Sequence, residues 1–332
     1  EVAAAGEPVE AYIGIGSGTI ADLVKDAGSK QNKPVLLFPT AASMNGYTSA
    51  IVALKVRGLK RTLPCKPAMG IFADPAVCAT APQRMTAAGV ADFLSKCSSS
   101  ADWRAAHLLR GDYYCHRPRE FNEGIQERLF QQADAIGHGE EAGVRLALEA
   151  LLLSGFGMVV AGSSAPASGG EHLLSHYLDM KHALYGTPND LHGTQVGIAT
   201  LYTLGLWEKI LALEPDNLDI EACVRAQLPE DTVRAMILED WGEQVGAEVV
   251  SQWEQKALDT EALRAELRLF VELLPRLRDE LSRDLQPVSV VRECIAACGG
   301  AVTPEQTTAS VEEFQRSKLR ARYLRNRFTV LD

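Results

Sequence analysis

The feature that most limits the possible folds is a glycine turn between a short apolar run and the start of a helical pattern. The segment reads Ala11-Tyr-Ile-Gly-Ile-Gly-Ser-Gly-Thr19, and the helical pattern opens at its last residue. Such a turn exposes backbone N–H groups beside the positive end of a helix dipole, and glycine lets a phosphate approach the chain closely. The segment therefore predicts a strand, a pyrophosphate-binding turn and a helix, which together open a nucleotide-binding α/β unit.

Two more apolar runs extend this unit. We predict a second strand at Val35–Pro39, followed by a small-residue loop over 40–49, and a third strand at 70–74 after a hairpin-like section that bears Lys and Arg. Strands separated by helices indicate a parallel sheet. Because three strands give a sheet too little core, we expect the Rossmann-like domain to be incomplete in this sequence. Either further strands lie upstream of Glu1, which we favour, or the nucleotide-binding domain is a remnant.

From residue 82 onward the pattern becomes helical. Apolar residues recur at spacings of three and four, for example over 143–153 and 260–281, which is typical of amphipathic helices. Ser310 and Glu313 fit a capping box at the start of the last helix, and the cations of 318–327 fit the solvated face of a helix. We therefore predict two domains, an α/β portion over residues 1–81 and an all-α domain over residues 82–332.

The overall charge argues against one class of function. The 33 Lys and Arg residues are outnumbered by 43 Asp and Glu residues, a formal net charge of −10, whereas a nucleic-acid binder needs clustered positive charge. The seven cysteines form no C-x-x-C pair, which suits a reducing cytoplasm. The longest apolar stretch, 146–161, is interrupted by Glu149 and is too short to cross a bilayer. We expect no nucleic-acid partner and no membrane insertion.

Two groups of side chains could carry chemistry. His172 and His176 stand one helical turn apart, a spacing that suits a divalent metal, although two partly exposed helix histidines are the simpler interpretation; His192 follows at a predicted helix start. Asp92 and Lys96 stand four residues apart in another helical pattern. They form an ordinary surface ion pair if that face is solvated, or a buried carboxylate that needs a metal or a cation if it is not.

Five motifs in a fixed order are more specific than any one of them. They are Gly-Ser-Gly-Thr-Ile-x-Asp-Leu from Gly16, Pro-Thr-Ala-Ala-Ser-Met-x-Gly-Tyr-Thr-Ser from Pro39, Ala-Ala-Gly-x-x-Asp ending at Asp92, Pro-Ala-Ser-Gly-x-Glu-His-x-x-Ser-His from Pro166, and His-Gly-x-x-Val-Gly from His192. With these motifs the chain resembles the glycerol-1-phosphate dehydrogenases, a branch of the iron-type alcohol dehydrogenase, glycerol dehydrogenase and dehydroquinate synthase-like superfamily. The resemblance runs from about residue 12 to about residue 200.

The resemblance implies a set of site residues. In the family a divalent metal is held by one Asp and two His, which match Asp92, His172 and His192 here, so His176 becomes a catalytic neighbour that orders water or substrate. The glycine turn matches the pyrophosphate site, and two later residues match the nicotinamide side of the cleft. The residues so implied are Gly16, Ser17, Gly18, Thr19, Asp22, Thr40 and Ser43 for the cofactor, and Asn45 for the substrate. The substrate phosphate would be bound by Lys96, or by amides and hydroxyls around Ser168.

The resemblance also implies the architecture and the reaction. The expected fold is dehydroquinate synthase-like, with the metal in a cleft between the Rossmann-like domain and the helical domain, and the expected assembly is a homo-oligomer. The expected enzyme is a metal-dependent NAD(P)H oxidoreductase that reduces dihydroxyacetone phosphate, or a close phosphorylated ketone, to sn-glycerol 1-phosphate. Zinc is the first choice of metal, and nickel or iron would suit the same N and O ligands.

Two alternatives and two departures accompany this expectation. A sugar-phosphate cyclase or lyase of the same fold would use the same metal without net turnover of cofactor, and a non-catalytic paralogue would not turn over at all. Relatives commonly carry Asn at the position of Ala21 and Arg at the position of Ala165. Because a guanidinium binds phosphate in a bidentate manner, the loss at 165 bears on the substrate more than on the type of reaction.

Overall fold

The computed structural model describes residues 9–56 and 59–332. Within them every strand lies before residue 72. The predicted strand, glycine turn and helix are confirmed, because the first strand runs directly into Ser17 and the first helix follows. These elements are β1 (Tyr12–Gly16), α1 (Gly18–Gln31), β2 (Val35–Pro39), β3 (Ile51–Val56), β4 (Leu59–Pro64) and β5 (Gly70–Ile71).

The described strands form one parallel sheet and one hairpin. The sheet has the order β1-β2-β5, with Tyr12 opposite Val35 and Leu36 opposite Gly70. Parallel neighbours need a crossover connection, which α1 supplies between β1 and β2. β3 and β4 pair antiparallel as a separate hairpin. This hairpin lies where the sequence predicts a hairpin-like section before the third strand. The parallel α/β sheet expected from the sequence is therefore confirmed.

In the described part of the chain, all regular structure after β5 is helical. The helices are α2 (Pro75–Ala79), α3 (Gln83–Leu94), α4 (Lys96–Arg110), α5 (Arg117–Asn122), α6 (Ile125–Gln131), α7 (Ala133–Gly137), α8 (Glu141–Ala161), α9 (Gly170–Tyr185), α10 (His192–Leu211), α11 (Ile220–Arg225), α12 (Glu230–Glu254), α13 (Thr260–Leu281), α14 (Val288–Ala297) and α15 (Val311–Arg320). Among them α10 packs against both α3 and α9. The small sheet followed by a helical remainder is the predicted fold class.

Two apolar clusters make up most of the core. One includes Tyr177, Trp207 and Trp241 from α9, α10 and α12, and the other includes Phe93 and Leu151 from α3 and α8. α8 extends beyond the apolar stretch seen in the sequence, and by length and composition it could cross a membrane, but 61% of its most apolar window is buried inside the protein. Burial to this extent is typical of a core helix.

The C-terminal segment differs in part from its prediction. Ser310 caps α15 by accepting a hydrogen bond from Glu313 N at 3.2 Å, as expected. The helix is only 10 residues long, however, and a single 3-10 turn over Ala321–Leu324 leads into a non-helical tail. The tail folds back into the core, where Val330 N donates to Asp102 Oδ1 at 3.0 Å. The single solvated helix face predicted for the basic stretch is therefore wrong, because these buried contacts turn the chain inward.

The close approach of α3 and α10 can be tested by substitution. A Cβ at Gly193 would lie 2.0 Å from Ala88 O, whereas a Cβ at Gly205 of the same helix would have nothing within 4 Å. We expect Gly193→Ala to lower the free energy of unfolding by about 1–3 kcal/mol, because the two helices must separate. The matched Gly205→Ala should raise it by up to about 1 kcal/mol. Urea unfolding followed by circular dichroism measures both, and equal effects would contradict the close approach.

Candidate metal and cofactor site

Three side chains from three helices converge on one point. Asp92 lies in α3, His172 in α9, and His192 is the first residue of α10; one ligand atom of each lies within 4.8 Å of the other two. Asp92 and His172 are buried, and His192 is half-buried. One carboxylate and two imidazoles at this separation suit a catalytic divalent ion that keeps open coordination positions. We call these residues the triad.

A neighbouring side chain holds the outer nitrogen of each imidazole. His172 Nδ1 lies 2.9 Å from Glu171 Oε1, and His192 Nδ1 lies 2.8 Å from Ser175 Oγ. On the other side of its ring, His172 Nε2 is 3.4 Å from Asp92 Oδ1. Partners that fix the second ring nitrogen are typical of histidine metal ligands. The triad is therefore oriented before any ligand binds.

Asp92 Oδ1 gives an independent indication that a cation belongs here. This oxygen is buried and accepts no hydrogen bond from the described residues, whereas Oδ2 of the same carboxylate accepts one from Asn45 N at 3.0 Å. A buried carboxylate oxygen without a donor is costly unless a cation satisfies it. The donor set and this oxygen fit a bound divalent metal.

The charges around the triad favour an ionised carboxylate. Burial raises the pKa of Asp92, but the imidazoles of His172 and His192 and the ammonium of Lys96 outweigh burial and lower that pKa to about 2. Burial lowers the pKa of His172, and the carboxylates of Asp92 and Glu171 outweigh burial and raise it. Metal ligands must be deprotonated, so the carboxylate is ready to bind, and a bound cation would take the place of the proton on His172.

His176 lies beside the triad. Its ring centroid is 6.1 Å from that of His172 and 5.8 Å from that of His192, whereas the rings of His172 and His192 are 5.3 Å apart. The group of close ligand atoms contains His192 and not His176. The geometry therefore favours the ligand set implied by the family resemblance over the pair suggested by the one-turn spacing.

The triad opens onto a cavity of about 580 Å³ that the glycine turn also lines. A cavity of this size is typical of small-ligand sites. Two of the predicted cofactor residues, Gly16 and Thr40, are not part of its wall. Thr40 N donates to Gly16 O at 3.2 Å, and this bond joins the ends of β1 and β2. The other predicted residues in the wall are Ser17, Gly18, Thr19, Asp22, Ser43, Asn45, Asp92, Ser168, His172, His176 and His192.

Lys96 is buried outside the wall of the cavity. Its Nζ has no hydrogen-bond partner among the described residues and lies 4.8 Å from the centroid of the Phe93 ring. Burial lowers its pKa to about 8, although the carboxylates of Asp92 and Glu171 oppose that shift. A surface ion pair of Asp92 and Lys96 is therefore wrong, because only 1% and 5% of these residues are exposed. The buried alternative is confirmed.

A buried lysine fixes the loop that follows β2 and carries Asn45. Lys25 in α1 is fully buried, and its Nζ lies 2.6 Å from Gly46 O and 2.9 Å from Ile51 O. The loop is thus held to α1 by Lys25 and to α3 by Asp92, which accepts a hydrogen bond from Asn45 N. Two buried charges therefore set the position of the loop relative to the triad.

Sequence reasoning missed several residues that shape the site, namely Lys25, Glu171, Ser175 and Arg327. Glu171 and Ser175 had a local signal, because a carboxylate or hydroxyl close to a ligating histidine commonly fixes an imidazole. Arg327 had none. Its Nη2 donates to Ser164 Oγ at 3.0 Å, and the two residues are 163 positions apart in the sequence.

Solved structures agree with this fold. A probable glycerol dehydrogenase from Sinorhizobium meliloti 1021 matches with a TM-score of 0.50 and 22% identity, over 80% of this chain and 78% of that one. A sulfoacetaldehyde reductase from Bifidobacterium kashiwanohense in complex with NAD+ matches with a TM-score of 0.53 and 15% identity, over 96% and 72%. The family model for iron-containing alcohol dehydrogenase matches residues 1–82. The chain therefore has the fold of the iron-type alcohol dehydrogenase class.

Sequence relatives narrow this class to one family. The NAD(P)+-dependent glycerol-1-phosphate dehydrogenase of Geobacillus stearothermophilus is 31% identical over 98% of this chain and 71% of its own length. The same enzyme of Geobacillus thermodenitrificans is 30% identical over 97% and 71%, and that of Pyrococcus horikoshii is 40% identical over 60% and 57%. The chain belongs to the glycerol-1-phosphate dehydrogenase family, as its motifs predicted.

The triad predicts which histidines retain a metal. We expect His172→Ala or His192→Ala to weaken zinc binding by more than about 100-fold, because two remaining ligands hold a divalent ion poorly. His176→Ala is the matched control and should bind zinc as the parent does. Competition with a chromogenic chelator measures the affinity without any need for turnover. Loss of zinc in His176→Ala together with retention in His192→Ala would make the one-turn pair the metal site.

The hydrogen bond between Glu171 and His172 predicts an indirect effect on the metal. Glu171→Gln keeps the shape of the side chain but replaces a charged acceptor with a neutral one, so zinc affinity should fall by about 10- to 100-fold. Glu149→Gln, at an exposed position of α8, should leave the affinity unchanged. The same chelator competition applies, with a thermal melt of each metal-free variant. Parental affinity in a folded Glu171→Gln variant would show that this carboxylate does not orient the imidazole.

Proposed function

We propose that this chain catalyses the NAD(P)H-dependent reduction of dihydroxyacetone phosphate, or of a close phosphorylated ketone, to sn-glycerol 1-phosphate with one divalent metal. The observation that carries the proposal is a single cavity lined both by the glycine turn and by the triad. Hydride transfer needs the nicotinamide and the ketone held together in one enclosed space. The names of the relatives, glycerol-1-phosphate dehydrogenases, support this substrate.

The turn over residues 16–19 is the proposed site of the cofactor pyrophosphate. Three of its residues line the cavity, directly at the N-terminus of α1. Backbone N–H groups at a helix N-terminus bind anions because they lack partners within the helix. Gly16 has φ of +155°, and a Cβ there would lie 2.7 Å from the Ile20 side chain. The tight turn therefore depends on glycine at this position.

Asp22, Thr40 and Ser43 complete the proposed cofactor site. Asp22 Oδ2 accepts a hydrogen bond from Ala53 N at 3.0 Å, which ties the β3–β4 hairpin to α1 beside the cavity. Ser43 Oγ lies 3.4 Å from Tyr47 OH. Through these contacts the hairpin and the loop after β2 would position the nicotinamide end of NAD(P)H.

Asp92, His172 and His192 would hold the metal, with zinc as the first choice and nickel or iron also suited to these donors. When bound, the ion would act as a Lewis acid that polarises the ketone oxygen and stabilises its developing charge. Glu171 and Ser175 keep the two imidazoles oriented through their Nδ1 atoms. Burial of Asp92 and His172 lowers the screening of the charge interaction between them.

Asn45, His176, Ser168 and Lys96 are the proposed substrate residues. Asn45 lines the cavity, and its Nδ2 is buried with no hydrogen-bond partner among the described residues, so it can donate to a substrate oxygen. His176 lines the cavity beside the triad and would hold the proton for the product hydroxyl. Ser168 lines the same wall. Lys96, which is buried outside the wall, would attract the substrate phosphate through its charge without contacting it.

The organisation of the chain is also a proposal. Residues 1–81 would form the cofactor-binding unit and residues 82–332 the metal- and substrate-binding unit, which is supported by α3 beginning at Gln83 after the last strand. The seven cysteines are free thiols, which supports a cytoplasmic location. The partner we propose is a small phosphorylated ketone, and the assembly a homo-oligomer like that expected from the resemblance.

The reaction can be tested directly on the full chain. After removal of metal and reloading with zinc or nickel, the protein should oxidise NAD(P)H in the presence of dihydroxyacetone phosphate. The loss of nicotinamide absorbance measures this oxidation. The metal-free chain and the reloaded His192→Ala variant should be inactive, because the ketone oxygen is then not polarised. Chiral analysis of the product identifies sn-glycerol 1-phosphate. No oxidation by a chain that binds one metal would contradict the proposal, and substrate loss without net cofactor turnover would identify a cyclase or lyase.

A further inference from the structure

The loop between α8 and α9 contributes Ser164 and Ser168 to the wall of the cavity, and a cation lies directly behind it. The Nη2 atom of Arg327 donates to Ser164 Oγ at 3.0 Å, and its Nη1 atom donates to Ser168 O. Both acceptors are neutral oxygens. Among the described residues, the carboxylates of Glu171 and Asp102 act on this guanidinium through space without a hydrogen bond to it.

The tail that carries Arg327 is held firmly. Val330 N donates to Asp102 Oδ1 at 3.0 Å, and Lys256 Nζ donates to Arg327 O at 3.0 Å and to Asp332 Oδ1 at 2.6 Å. Folding therefore fixes the backbone at the arginine and in the residues that follow it. A guanidinium placed in advance loses little freedom when a ligand binds, which increases affinity.

Two backbone N–H groups at the end of the loop already bind carboxylates of the protein. Gly169 N donates to Glu171 Oε1 at 2.7 Å, and Gly170 N donates to Asp102 Oδ2 at 2.7 Å. An anion at this wall of the cavity would therefore meet the hydroxyls of Ser164 and Ser168 rather than these two amides, and the cation behind the hydroxyls would supply positive charge.

Other cations are less well placed for this task. Ala165 is buried against Trp103 and Ala161, so a basic side chain at 165 would have to displace that packing. Lys96 neither lines the cavity nor hydrogen-bonds a residue of the loop. Arg325 lies close enough to Arg327 for its charge to lower the pKa of Arg327, an effect that adds to burial. A dianion nearby would relieve this repulsion.

We propose that Arg327 is the residue that makes this chain specific for a phosphorylated substrate, acting through Ser164 and Ser168. The serine hydroxyls contact the phosphate, and the guanidinium behind them supplies the positive charge and holds the loop. Because Ser164 Oγ accepts from Arg327, its own O–H is left to donate and is polarised toward an anion. This inference rests on the proposed function and adds a residue to it.

The test separates phosphate recognition from general support of the loop. For Arg327→Met we expect KM for dihydroxyacetone phosphate to rise by about 10- to 100-fold, because a charge-assisted interaction is lost. The value of kcat should change little. KM for unphosphorylated dihydroxyacetone should stay as in the parent. Arg327→Lys should recover part of the phosphate preference, since lysine restores charge without the guanidinium fork. Arg322→Met is the matched control and should keep the parental KM for both ketones, because Arg322 lies in the 3-10 turn before the tail and binds Asp332 O at 2.8 Å instead of the loop.

Two results would overturn the inference. An equal rise in KM for both ketones in Arg327→Met would show that the arginine only supports the loop. Parental KM values for both ketones would show that it neither recognises the phosphate nor supports the loop. If the parent reduces neither ketone, the proposed function fails but the subsite is still testable. Calorimetric titration of the cofactor-bound chain with inorganic phosphate, with and without zinc, should then show binding that Arg327→Met weakens by a similar factor. Equal phosphate binding by both proteins would disprove the subsite.

Discussion

The buried carboxylate of Asp92 connects the two parts of the molecule. Its Oδ2 accepts a hydrogen bond from Asn45 N at 3.0 Å, and its Oδ1 lies 3.4 Å from His172 Nε2. The first contact holds the loop after β2, and the second faces the helix that carries His172. An ionised carboxylate without water is stable only while its oxygens are satisfied. The loop after β2 and the helix α9 therefore keep one fixed relation across the cavity, and under the proposed function the bound metal would satisfy the oxygen that has no donor among the described residues.

Backbone contacts set the distances within this site. Gly89 of α3 brings that helix so close to the loop that a Cβ would lie 2.0 Å from Ala42 O, and Gly193 does the same between α10 and Ala88 O. Packed backbone adjusts far less than a flexible side chain does. Because both glycines lie within one turn of a ligand, the separation of Asp92 from His192 follows from the packing of the helices, and the bonds to the outer imidazole nitrogens then fix the rings. Metal binding should therefore require little rearrangement.

Sequence patterns predicted what consecutive residues determine, and missed what distant segments determine together. The strand, glycine turn and helix could be predicted because their geometry lies in adjacent residues. Helical spacing paired His172 with His176, since periodicity describes one helix at a time, whereas the imidazole close to His172 comes from the neighbouring helix and needed the family motif to be found. The contact between Arg327 and Ser164 spans 163 positions, and the basic tail resembled a solvated helix because nothing local signals that it turns back into the core.

The charge distribution explains how an acidic chain can be selective for anionic ligands. A net charge of −10 repels anions at long range, so their recognition must come from local fields. Glu171 and Asp102 occupy the amides of Gly169 and Gly170. Among the described residues, the positive groups around the cavity include the N-terminus of α1, the imidazole of His172, the ammonium of Lys96 and the guanidinium of Arg327. Charges away from water are screened little by salt. Under the proposed function, discrimination of phosphorylated from neutral ketones would depend on a few groups that come together only when the tail packs against the loop before α9, and not on the charge of the surface.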